Sequence, residues 1–200
     1  MIEYPNEVVK FNGPSPDTSV VHRWAVQSAK LRLHCDTRWP ERLSLHFDVE
    51  ALASEEYCGQ CELSFSDHDM PEQFITATGP SFLDQWIISY THALRPEPDT
   101  ESPASVYTGI HEFFETFKMS LNFISGDRYQ LKSEGNLEGS YFQCTCEVTL
   151  EYLRVHDSLP ADIAKLEAAA RQYLGPVNTT VNSNERAIWL DAKPAIDQYN

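Results

Sequence analysis

The stretch Ser81-Phe-Leu-Asp-Gln-Trp-Ile-Ile-Ser-Tyr-Thr-His-Ala-Leu94 decides how much of this chain is helical. Phe82, Leu83, Trp86, Ile87, Tyr90 and Leu94 fall on one stripe at helical spacing, and Ser81 with Asp84 resembles a capping box. Arg95-Pro96 stops such a helix, because a proline pushes the residue before it out of the helical region. The same spacing predicts a second helix downstream, where Val106, Ile110, Phe113, Phe114, Phe117 and Leu121 form another stripe. A third is expected over Pro160 to Leu174, capped by Ser158, with Pro160 in its first turn and Gly175 just past its end. Ile163, Leu166, Ala170, Tyr173 and Leu174 make its apolar side, and Glu167 and Arg171 face outward at i, i+4.

Between these stretches the period changes to two. In Leu43-Ser-Leu-His-Phe-Asp-Val-Glu50 the apolar residues face one way and the polar ones the other, which marks a strand with one wet face. Leu31 to Asp36, Cys61 to Phe65, Tyr129 to Leu131 and Tyr141 to Leu150 follow the same rule, and Arg186 to Asp191 reads as a last edge strand. Asp17 to Lys30 fits either period. Turns are expected at Gly126-Asp127, Gly135-Asn136 and Gly139. Strands interrupted by helices without a β-α-β rhythm predict an α+β domain, an antiparallel sheet with about three helices packed on one face. The expected organisation is an irregular arm over 1–18, a single domain over 19–192 with a sub-domain break near 96–104, and a tail over 193–200.

Two hundred residues with four Trp, nine Tyr and ten Phe suffice for a large core. The acidic beginning, Met1 to Glu7, lacks the apolar run of a secretory signal, and no apolar run approaches the roughly 20 residues that span a bilayer. A cytoplasmic protein without membrane contact is the expectation.

The net charge of −15 argues against direct binding to nucleic acid or anionic lipid. Its placement is more informative. From Leu43 through Phe117 there are 14 acidic residues and one base, Arg95, whereas the rest of the chain holds 16 acids and 14 bases. A field of one sign speeds encounter with a cationic partner and repels wrong ones. The expected partner-binding residues are Asp48, Glu50, Glu55, Glu56, Glu62, Asp67, Asp69 and Glu72, with Trp39 and Tyr57 as aromatic anchors.

Glu55 to Leu63 carries the chain's Cys-x-x-Cys, Cys58 and Cys61, and Cys144 and Cys146 supply the other half of a conceivable four-thiolate zinc site. Cys35, Cys61, Cys144 and Cys146 nevertheless occupy apolar positions of alternating strands, where free cysteine packs as a small hydrophobe. A redox role is opposed by Glu55, Glu56 and Glu62, whose charge disfavours a thiolate. These cysteines read as structural, and no metal or cofactor is expected. Asp67-His68-Asp69 reads as a solvated acidic loop, and His34 and His46 as members of a polar strand face beside Asp36 and Asp48. His156-Asp157-Ser158 holds the residue types of a nucleophilic triad, but contiguous side chains cannot make its geometry.

The reading that accounts for the charge is a non-enzymatic module, inhibitor-like or immunity-protein-like. It would cover a basic surface of a partner such as a nuclease or another nucleic-acid-binding protein. The alternatives are a structural subunit of a larger assembly, a virion or secretion machine, and a metal-dependent enzyme using Asp67 to Asp69. Composition leaves the oligomeric state open.

Overall fold

The computed structural model describes residues 6–13, 20–39, 43–53, 60–66, 83–84, 86–91, 104–108, 111–158, 162–185 and 187–195. Among them are twelve strands: β1 (Glu7–Asn12), β2 (Val20–Asp36), β3 (Leu43–Ala53), β4 (Gln60–Ser66), β5 (Trp86–Thr91), β6 (Ala104–Tyr107), β7 (His111–Phe113), β8 (Thr116–Ser125), β9 (Arg128–Leu137), β10 (Ser140–Ser158), β11 (Val177–Ser183) and β12 (Ala187–Pro194). The one helix, α1 (Ile163–Leu174), lies between β10 and β11. The expected α+β fold with about three helices is therefore overturned in favour of a mostly antiparallel β structure.

The correction falls first on Ser81 to Leu94. Within it Trp86–Thr91 is β5, paired with β8; Ser81, Phe82 and 92–94 lie outside the described residues. Ile88 is 1% exposed and Ile87 56%, an inward–outward alternation that no helical stripe through Ile87 produces. The second expected helix is β6, β7 and β8, with Phe117, Met119 and Leu121 inward at period two. Thr, Phe and Met between polar residues fit a half-buried pleated surface better than a lone helix.

Three smaller expectations also change. Glu7–Asn12, read as part of an irregular arm, is a strand wedged between β2 and β10. β12 is not an edge, for it pairs with both β10 and β11. The helix is capped not by Ser158, which ends β10, but by Asp162, whose side chain accepts from the Ala164 N–H at 2.9 Å. Gly175 ends the helix with φ 73°, and Leu166, Ala170, Tyr173 and Leu174 are buried as the helix packs on β10, β11 and β12. Ile163, expected on that apolar side, is exposed.

The pairings form a circuit that the chain itself completes between β7 and β8. β2 pairs with β3, β3 with β4, β4 with β6 and β6 with β7. Across Phe114 and Glu115 the chain passes from β7 into β8: Phe114 N–H donates to Ala104 of β6 and Glu115 N–H to Asn136 of β9. β8 then pairs with β9, β9 with β10, and β10 with β2 in parallel over Thr149 to His156. Among the described residues β7 pairs with β6 alone, so the circuit is joined there by the chain and not by a ladder. Phe47 of β3, Phe65 of β4 and Phe117 of β8 stack inside it, with centroids 5.4 Å apart for Phe65 and Phe117. Phe114 and Phe142 meet edge-on beside them. Each such fully buried ring contributes about 1.5–3 kcal/mol relative to leaving it in water.

Gly135, expected in a turn, lies inside β9 and is what lets the circuit close. A Cβ there would sit 2.3 Å from the Thr116 carbonyl oxygen and 2.6 Å from the Phe114 ring. Lys10 of β1 and Glu112 of β7, which are not neighbouring strands, form an ion pair at 2.7 Å. Among the described residues no helix is long and apolar enough to cross a membrane.

Candidate functional site

The period-two strands turn their polar residues to one outer face over β2, β3, β4 and β6. Register sets Ser28 opposite Glu50 and Lys30 opposite Asp48 on β2–β3, then Glu50 opposite Glu62 and Asp48 opposite Ser64 on β3–β4. Glu62 in turn faces Tyr107, and Ser64 faces Ser105 with hydroxyl oxygens 3.0 Å apart. The face holds a shallow hollow of about 300 Å³ lined by these residues with Arg32 and His111.

This face gathers three of the ten expected partner-binding residues, Asp48, Glu50 and Glu62. Trp39 is 49% exposed, but it follows the far end of β2. Eight strand residues, roughly 26 Å at 3.3 Å each, separate Ser28 beside Glu50 from the last residue of that strand. Glu55, Glu56, Tyr57, Asp67, Asp69 and Glu72 lie outside the described residues, as do Cys58 and His68.

The three carboxylates differ in what surrounds them. Asp48 accepts from the Arg32 guanidinium at 2.5 Å and faces His46 Nε2 at 3.2 Å. Arg32 also donates from Nε to Glu151 at 2.6 Å, and that bond chiefly raises the Arg32 pKa and lowers that of Glu151. Glu62 accepts from Gln60 Nε2 at 2.8 Å. Among the described residues neither Glu50 nor Glu62 forms an ion pair, though both are exposed and directly opposed. Like charges so placed cost a few tenths to about 1 kcal/mol. Charge counting over Leu43 to Phe117 missed Arg32 and Lys10, which lie before that segment and neutralise Asp48 from the preceding strand and Glu112 from β1. Only the pairing of β2 with β3, and the closure that brings β1 near β7, reveals them.

The expected histidine face is present, but its members are offset. His46 stands opposite Arg32, whereas His34 stands opposite Ser44 and meets the Tyr152 ring edge-on at 5.9 Å. Asp36 is held low by hydrogen bonds from Arg38, with His156 Nδ1 at 3.8 Å. Of the triad-like run, His156 faces Asp36 and Asp157 takes the Lys165 ammonium at 3.2 Å.

Cys35, Cys61, Cys144 and Cys146 are buried free thiols. Cys144 and Cys146 have sulfurs 3.8 Å apart on the inner face of β10. Burial pushes the Cys61 thiol up to about 12, and the hydrogen bond with Cys146, then burial, raises Cys144. Such thiols are poor nucleophiles at neutral pH. Among the described residues no three metal-ligating side chains converge. No family model, no curated protein and no solved structure matches this chain.

Proposed function

We propose that the chain is a non-enzymatic protein-binding module whose acidic strand face docks on a cationic surface of another protein. Asp48, Glu50 and Glu62 form the described part of that face. The acidic residues Glu55, Glu56, Asp67, Asp69 and Glu72 belong to the segments that follow β3 and β4 in the sequence. The observation that carries the reading is the opposition of exposed Glu50 and Glu62 across a regular ladder. Their mutual repulsion is a standing cost that a lysine or arginine inserted between them turns into attraction. The charge imbalance between Leu43 and Phe117 extends the same field and speeds encounter with a basic partner.

The test is capture of basic proteins on the immobilised chain, followed by association rates for the captured partner. The expected result is a rate that falls steeply from low to physiological salt and drops further in the Glu50→Lys, Glu62→Lys double variant. Complexes insensitive to both salt and the double variant would overturn the reading.

A further inference from the structure

A hollow of about 1210 Å³ lies on another part of the outer surface, over β2, β8, β9 and β10. A second of about 620 Å³ adjoins it toward β11 and β12, and the two share Glu151 and Lys193 as one groove. Three strands carry an extra residue along the larger hollow: Gln27 in a bulge of β2, Ile124 in one of β8 and Glu151 in one of β10. A bulge bends its strand and re-aims a side chain.

The larger hollow has the opposite sign to the chain that forms it. Lys30, Arg128, Lys132 and Lys193 line it against Glu147 and Glu151, in a chain whose net charge is −15. Glu151 is already answered from outside the lining by Arg32 at 2.6 Å, whereas Lys30 stands 3.5 Å from it. Adding Arg32 and its other acceptor, Asp48, makes five bases against three acids, so the excess stays at two positive charges.

Register brings cations together at one place. Thr149 of β10 lies opposite Arg128 of β9 on one side and Lys30 of β2 on the other. All three are exposed and line the hollow. Neighbouring strands run about 4.8 Å apart, so the two cations flank the Thr149 side chain. The Thr149 hydroxyl has no hydrogen-bond partner among the described residues. Lys193 of β12 is exposed and forms no ion pair among the described residues. It reaches the hollow beside Glu151. Arg128 meets Glu147 at 3.2 Å, with both side chains nearly half exposed. Such a pair contributes little, and a guanidinium keeps further donors for a ligand.

Two cations around a hydroxyl, with a third close by, suit a group that carries two charges on several acceptor oxygens. A phosphate monoester carries about −1.5 to −2 at pH 7 on three such oxygens. A carboxylate has one charge and two oxygens. A long polyanion would run from the hollow onto Asp48 beyond Lys30 and onto Asp127 in the adjoining hollow. Beside the cations, Phe123 and Ile124 give apolar surface, and the Asn122 carboxamide has no partner among the described residues. The geometry points to a site for a small phosphate monoester, its head over Thr149 between Lys30 and Arg128 and its organic body against Asn122, Phe123 and Ile124.

The experiment titrates the full chain calorimetrically with inorganic phosphate, glucose 6-phosphate and adenosine monophosphate, and with glucose, acetate and heparin as controls. The expected result is that a phosphate monoester binds more tightly than inorganic phosphate, while glucose and acetate do not bind. Thr149→Val and Lys193→Gln should each weaken that binding about tenfold without moving the melting curve. Glu147→Gln, which releases Arg128, should strengthen it. Binding of neither phosphate monoester, binding of heparin alone, or an affinity indifferent to both Thr149→Val and Lys193→Gln overturns the assignment.

Discussion

Over β3 and β4 the ladder runs without interruption from His46–Ser66 to Leu52–Gln60, and it sets Glu50 against Glu62. Along the groove three strands each carry an extra residue, and Glu147, Glu151 and Asp191 each meet a cation. The first surface thus leaves Glu50 and Glu62 without an ion pair among the described residues, while the second pairs each of its three named acids. Regular pairing fixes which side chains oppose one another, so an unfavourable opposition can persist there only at a cost. Glu151 sits at such a bulge, whereas Asp191 meets Arg154 directly across the regular β10–β12 ladder. Arg32 belongs to both regions, because it holds Asp48 of the acidic face and Glu151 of the groove.

The largest perturbation should abolish the comparison altogether. Gly135→Ala pushes a methyl group against the Thr116 carbonyl and the Phe114 ring, where the chain leaving β7 enters its ladder with β9. A loss of about 3 kcal/mol is expected, measured by chemical denaturation, with both surfaces failing together. An unchanged midpoint would show that the closure has slack.

Arg32→Gln tests the shared residue. It should cost about 1–2 kcal/mol at neutral pH, since two charge-assisted hydrogen bonds disappear. The Glu151 carboxyl is held below its ordinary value, chiefly by Arg32. Its contribution is therefore full above the unfolded carboxylate pKa, about 4.3, and is lost as pH falls through the lower folded value. Parent and variant should differ most near neutrality and converge in acid; curves that stay parallel to low pH would mean the pair contributes nothing.

The smallest effect has the opposite sign. Glu62→Lys places unlike charges across from Glu50 and should stabilise the fold by a few tenths to about 1 kcal/mol, seen as a raised melting temperature. The same variant should weaken capture of a basic partner. A surface change that improves stability while impairing binding is the signature of a face kept for contact.

The strands with strict polar–apolar alternation, such as Leu43 to Glu50 and Tyr141 to Leu150, were legible because only one period fits them. β5 and β8 were not. Trp86 and Tyr90, like Phe117 and Leu121, are four residues apart, and that spacing satisfies a helix turn and a strand face equally. The deciding residues are Ile88 and Met119, inward in the strands and absent from the helical stripes. A clear helix signal, Ile163 to Leu174, survived because its stripe spans three turns and ends on Gly175. Asp48, Glu50 and Glu62 could be traced to one face by alternation alone, whereas the cation that answers Asp48 arrives from β2. The groove left no trace along the chain, since a bulge exists only relative to a partner strand.

β10 has a consequence for how the molecule is made. Its residues close the circuit with β1, β2, β9 and β12, so strands near the start of the chain wait for one that ends at Ser158. On a ribosome adding about 5–20 residues per second, the interval between emergence of β2 and of its parallel partner is roughly ten seconds. During that time β2 presents unfilled hydrogen-bonding groups to the crowded cell. Synthesis of this protein should therefore depend on chaperones that hold nascent β-strands apart, and a slow-translated gene should yield more insoluble chains than a fast one.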